Sequence, residues 1–100
     1  MTQSKWVRVG SVRRFDHVEQ DEELALKPLV EASEVHGAWQ AWRACEGRSL
    51  SDYARDRLLD SCADVIQATL NLVAAFGVED FRPWMNECEK RNQERGRITK

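Results

Sequence analysis

The sequence predicts an all-α protein, a bundle of three to four helices completed by oligomerisation, and three observations lead there. From Leu24 onward apolar residues recur at intervals of three and four, the repeat of a helix face. Gly47 and Gly77 interrupt that pattern where helices would end. At 100 residues the chain makes one domain, with a core small enough to gain from burial against another copy.

Residues 1–23 read as an N-terminal arm. Within it KWVRVGSVRRF, residues 5–15, partly alternates apolar and charged side chains around Gly10, which permits a short extended segment or an irregular strand of chain. Acidic residues follow from Asp16 to Glu23. The helical domain is expected over residues 24–97, with a polar tail at 98–100. Its first helix runs from about Leu24 to Cys45, and Pro28 either sits in the first turn or kinks it. Glu31, Val35, Ala38, Trp42 and Cys45 share one stripe, which marks the face to be buried.

Glu46, Gly47 and Arg48 form a break, after which Ser49 or Ser51 is placed to cap a second helix and Asp52 to complement its dipole. That helix spans roughly residues 50–76, with a bend expected near Arg57. Its half from Leu58 to Phe76 is apolar on most sides, and Gly77 ends it in a left-handed cap. Asp80 can cap a last helix that tolerates Pro83 in its first turn. Phe81, Trp84, Met85 and Cys88 give this helix a packing stripe.

Composition narrows the function. A 42% hydrophobic and 32% charged content is that of an ordinary globular protein. A net charge of -2 argues against a protein that neutralises a nucleic-acid polymer, although the stretch from Lys90 to Lys100 is locally basic. Cys45, Cys62 and Cys88 are odd in number and far apart, which suits reduced, packed thiols. The N-terminus lacks the apolar run of a signal peptide, and no apolar stretch of membrane-spanning length is free of polar residues, so a cytoplasmic protein is expected.

The residues that carry chemistry are carboxylates. Glu31 and Glu34, three apart on a helix, project side by side and can share a cation. On the apolar second helix Asp60, Asp64, Gln67 and Asn71 recur at spacings of four, three and four, a polar stripe without Lys or Arg. Exposed faces elsewhere mix Arg, Lys and Glu, so a stripe of oxygen donors alone points to a hard cation such as Mg2+. Glu31 and Glu34 facing Asp64 would make a metal site between two helices; the competing reading has both sets facing water.

Glu-x-x-Glu on one helix, followed after a gap by Ala63-Asp64-Val65-Ile66 on an apolar helix, resembles the MazG-like all-α nucleoside triphosphate pyrophosphohydrolases. Dimeric dUTPases and phosphoribosyl-ATP pyrophosphohydrolase are their relatives. The runs ADVIQATLNLVAAFGVEDF and CEKRNQERGR extend the similarity, which covers roughly residues 24–97. The resemblance implies a helical bundle completed in a homo-oligomer, dimer or tetramer, and a Mg2+ site, with Mn2+ as a substitute. It also implies hydrolysis of a nucleoside triphosphate to monophosphate and pyrophosphate, with house-cleaning of non-canonical nucleotides as the role.

Carried over by position, the resemblance makes Glu31, Glu34 and Asp64 metal ligands and puts Lys90, Arg91 and Asn92 near substrate. In the expected mechanism Glu34 orients or deprotonates the attacking water, and Lys90 or Arg91 stabilises charge on the leaving pyrophosphate. One position departs from the pattern. The second motif should begin with Glu three residues before Asp64, and Ser61 stands there. Asp60 points to roughly the same face and is the candidate for the missing oxygen; without it the chain would be a weakened or inactive module that binds a nucleotide or a protein.

Trp39 and Trp42 lie three apart, a spacing that suits core or oligomer contacts, with Trp39 kept as a candidate for the base pocket. His17 and His36 lack partners at metal-ligand spacing and read as structural or solvated. Cys62, with no His near it in sequence, reads as a packed thiol rather than a nucleophile. Asn71 returns to the face of Asp64 within an apolar stretch, where an unpaired amide would be costly; it is expected to bond substrate or a partner carboxylate.

Overall fold

A computed structural model describes residues 4–99; Met1 to Gln3 of the arm and Lys100 of the tail lie outside it. The described residues form three α-helices and no strand: α1 (Glu22–Cys45), α2 (Ser51–Ala75) and α3 (Arg82–Glu94). The all-α class expected from the sequence is therefore the one observed.

Asp21 starts α1 two residues earlier than the apolar pattern suggests. Its side chain accepts the Leu24 backbone N–H at 2.8 Å, satisfying one of the free donors of the first turn, and Glu22 and Glu23 complement the helix dipole there. Pro28 consequently falls inside the helix rather than in its first turn. The helix runs on through it at the cost of the bond an N–H would have made to the carbonyl four residues back.

Below Pro28, the stripe of Glu31, Val35, Ala38, Trp42 and Cys45 is half-buried while the residues between are exposed. This is the face that packs on α2, as its spacing predicts.

A tight turn joins the two helices. Arg48 N–H bonds to Cys45 C=O at 2.8 Å across Glu46 (φ -55, ψ 126) and Gly47 (φ 77), the dihedrals of a type II turn. Its third residue needs positive φ, which glycine supplies without strain. The expected serine cap on α2 is not formed: the N-cap is Leu50, with no side-chain hydrogen bond. From there α2 is one uninterrupted helix through Arg57.

Gly77 (φ 75) ends α2 as expected, its N–H bonding to Ala74 C=O at 2.9 Å. Phe81, rather than Asp80, is the N-cap of α3; Asp80, one residue earlier, accepts the Arg82 N–H at 3.0 Å and two guanidinium bonds from the same residue at 2.9 Å. Those bonds hold its carboxyl down at about 2.

The arm takes the irregular alternative, and it lies across α2. An 18-residue window of α2 reaches a mean hydropathy of 1.2, long and apolar enough to cross a membrane by length and composition alone, although Asp60, Asp64, Gln67 and Asn71 interrupt its apolar residues. Its amides, however, are bonded to the arm, and one face packs on α1.

Burial within one chain is slight. Only Ala54, Ala68 and Asn71 are buried among the described residues, and α3 packs against neither α1 nor α2. The accessible surface is 8809 Å², against about 5,800 Å² for a compact monomer of this mass. The radius of gyration is 16.3 Å, where a compact 100-residue domain has about 13 Å.

Replacing Asp21 by Ala removes the one side-chain cap of α1 and is expected to cost about 1 kcal/mol, lowering the thermal midpoint by roughly 4–8 °C. Thermal circular dichroism at fixed protein concentration measures it. An unchanged midpoint would show that α1 does not depend on its cap.

Candidate metal centre and adjoining cleft

Packing of α1 on α2 brings three carboxylates together. Glu31, Glu34 and Asp64 each present an oxygen within 4.8 Å of the others. Glu31 belongs to the half-buried stripe of α1, so the same rotation of the helix that buries Val35 and Ala38 aims Glu31 at α2. Glu34 and Asp64 are exposed at the rim.

Such convergence is unfavourable without a cation. The Glu31 carboxyl is raised above its ordinary value, first by desolvation against the helix pair, then by the charge of Glu34 and a hydrogen bond shared with it, then by Asp64. Lys27, one turn before Glu31, opposes the rise. The donor set contains only carboxylate oxygens, which suits a small hard cation and fits neither a thiolate nor an imidazole site.

The fourth corner expected from the sequence is not supplied. Asp60 is exposed and is not a member of the converging group. The Ser61 hydroxyl donates to the Arg57 carbonyl at 3.1 Å, one turn back in its own helix.

Beside the carboxylates lies a cleft of about 480 Å³, a volume suited to a small organic ligand. Glu31 and Asp64 line it, together with Lys27 of α1 and, from the arm, Phe15, His17 and Val18. Lys27, Phe15 and Val18 are assigned to no site from the sequence, and His17 reads there as structural or solvated. The spacing of Lys27 to Glu31, four residues, was a signal available for the first; none existed for the arm, which reaches α2 from more than fifty residues away.

Asn71 is 3% exposed and lines the same cleft, but its Oδ1 is already engaged within the chain. It accepts the Phe15 backbone N–H and a Gln67 side-chain N–H, both at 3.0 Å. The acceptor side of the amide is therefore used by the arm and by its own helix.

Trp39 stands two turns beyond Glu31 with its ring centroid 5.2 Å from that of Trp42, and is not part of the cleft lining. Lys90, Arg91 and Asn92 lie on α3, away from the carboxylates of their own chain. Lys90 meets Glu87 at 3.4 Å, and the Asn92 amide bonds to the Cys88 carbonyl and to Arg97. His17 is exposed and pairs with Glu19 at 3.1 Å; Cys45, Cys62 and Cys88 are free and half-buried.

Because the folded-state carboxyl of Glu31 titrates above its unfolded value, its protonated form is favoured by folding. Its contribution to stability is present at acid pH and is lost as pH rises through the raised value. Glu31→Gln is therefore expected to raise the thermal midpoint at pH 7 in a chelator, with no gain at pH 4. Added Mg2+ should raise the midpoint of the wild type and not of the variant. Identical responses of the two proteins would show that the carboxylates do not interact.

No protein-family model matches this chain, and neither a curated protein nor a solved structure matches it.

Proposed function

We propose that the chain is a Mg2+-dependent nucleotide pyrophosphohydrolase of the cytoplasm, converting a nucleoside triphosphate to its monophosphate and pyrophosphate. The observation that carries this reading is the convergence of Glu31, Glu34 and Asp64 from two helices at the end of a cleft that also holds Lys27. Oxygen donors for a cation, one free-standing lysine for phosphate and room for an organic moiety are the requirements of metal-assisted phosphate chemistry.

In this reading Glu31 and Asp64 hold the ion, Mg2+ or Mn2+. Bound there, it supplies charge neutralisation for the phosphates and a more acidic water. Glu34, exposed at the rim, would orient an attacking water and take its proton as the oxygen bonds to the α-phosphorus. The bond from that phosphorus to the bridging oxygen breaks, and pyrophosphate leaves with the electron pair. Lys27 meets phosphate oxygens from the cleft side.

The enzyme works as a homo-oligomer. Its accessible surface exceeds the compact-monomer value by about 3,000 Å², more than a standard protein interface buries. Trp84 and Met85 of α3 are 55% and 53% exposed, and Leu29 and Val30 of α1 are 68% and 47% exposed. Covering these faces with a second copy offers α3 a partner and brings its Lys90, Arg91 and Asn92 toward the carboxylates of another chain.

A second reading, a module that binds a nucleotide without turning it over, draws on the fourth corner. With Ser61 bonded to its own helix and Asp60 outside the group, three carboxylates remain where a fourth is expected.

Incubation with canonical and modified deoxynucleoside triphosphates plus Mg2+ is expected to release pyrophosphate, and Glu34→Gln to reduce the rate by roughly 100-fold or more. Mg2+-dependent binding with no release would favour the second reading, and Ser61→Glu should then confer activity. Absence of both binding and release would end the nucleotide reading. Light scattering is expected to give a mass at least twice the 11.6 kDa of one chain, falling toward one chain in Trp84→Glu; a monomeric wild type would remove the oligomer.

A further inference from the structure

The polar stripe of α2 divides its labour along the helix. Asp64 joins the carboxylates, while Gln67 and Asn71, one and two turns further on, hold the arm. Gln67 Nε2 donates to the Arg13 carbonyl and to Asn71 Oδ1, both at 3.0 Å, and Asn71 Oδ1 also receives the Phe15 N–H. Gln20 Nε2 adds a bond to the Ala75 carbonyl at 3.1 Å, fastening the other end of the segment. An irregular segment is thus tied to the helix at both ends of residues 13–20.

Between those ties Phe15, His17, Val18 and Glu19 of the arm line the cleft together with α1 and α2. The cleft accordingly has two chemically different ends. Near Glu31, Asp64 and Lys27 it is charged; toward the arm Phe15, Val18, Leu24 and Ala68 give it an aromatic and aliphatic surface, bordered by His17, which pairs with Glu19, and by Asp21 and Glu23. Phe15 is 60% exposed and makes no aromatic pair among the described residues. A flat ring left open beside hydrogen-bonding groups suits a nucleobase.

We propose that the arm is the specificity element of the cleft: Phe15 and His17 receive the base and sugar, and Asn71 is a positioning residue that holds them there through the Phe15 backbone. The inference rests on the nucleotide reading above and assigns the base to the arm in place of Trp39. It makes the charged end common to all nucleotides and the arm end the part that distinguishes them.

The test uses non-hydrolysable α,β-methylene analogues of triphosphates with different bases, titrated calorimetrically into the full chain with Mg2+, and Mn2+ binding followed by electron paramagnetic resonance. Phe15→Ala keeps the backbone N–H that Asn71 holds and removes only an exposed ring. It is expected to weaken the preferred analogue about tenfold and to flatten the ranking of bases, with Mn2+ affinity unchanged. Asn71→Leu should flatten the ranking as well, and Asn71→Asp, which keeps an acceptor for both N–H groups, should largely preserve it.

A Phe15→Ala protein with wild-type affinity and ranking would overturn the assignment while leaving the nucleotide reading intact. A wild type that binds no analogue would remove both. Should Asn71→Leu fail to fold, Phe15→Ala decides the matter alone.

Discussion

A buried amide in an apolar helix constrains the molecule more than any other group. Asn71 is the most deeply buried of the three residues withdrawn from solvent, and it sits among Leu70, Leu72 and Val73. An amide so placed costs a few kcal/mol unless its hydrogen bonds are made. No partner on α1 makes them. Gln67 on its own helix and the backbone of Phe15 satisfy its Oδ1, and the second of these brings a distant segment of chain across α2. The cleft exists because that segment must lie there.

A second constraint works against stability. Helix packing drives Glu31 toward Asp64 because Glu31 occupies a position on the stripe that α1 buries. An apolar residue there would pack without penalty; a carboxylate brings repulsion from Glu34 and Asp64 and loses hydration. A fold that retains this arrangement holds free energy that a cation can release on binding, which is how the proposed metal site and the fold's modest core are connected. Lys27 offsets part of the repulsion and lines the same cleft.

The shallow burial has the same origin as the separate α3. Two helices joined by a five-residue break can cover only one face of each other, and their alanines at 54 and 68 mark where the axes come close enough to exclude water. Everything on the outer faces stays in solvent until something else packs there. In the proposed oligomer a second copy would supply that layer, and stability would then depend on chain concentration.

Local rules were sufficient for the helices. The three-and-four spacing marked the packed stripe of α1, Gly77 marked the end of α2 through its positive φ, and Asp80 marked the start of α3; each depends on residues within a turn or two of itself. The same spacing placed Glu31 and Glu34 side by side, and the lysine-free stripe of α2 marked Asp64 as their counterpart. The start of α1 was missed because Asp21, an acidic residue among acidic residues, gave no sign that its side chain caps Leu24. Ser49 and Ser51 suggested a cap that the type II turn at Gly47 made unnecessary by delivering the chain directly into α2. What only the tertiary structure decided was the use of Asn71 and Gln67, the arm's place over the cleft, and the distance of Trp39 and α3 from the carboxylates. Those depend on contacts between segments more than fifty residues apart, where no periodicity of the chain records which donor will meet a given acceptor.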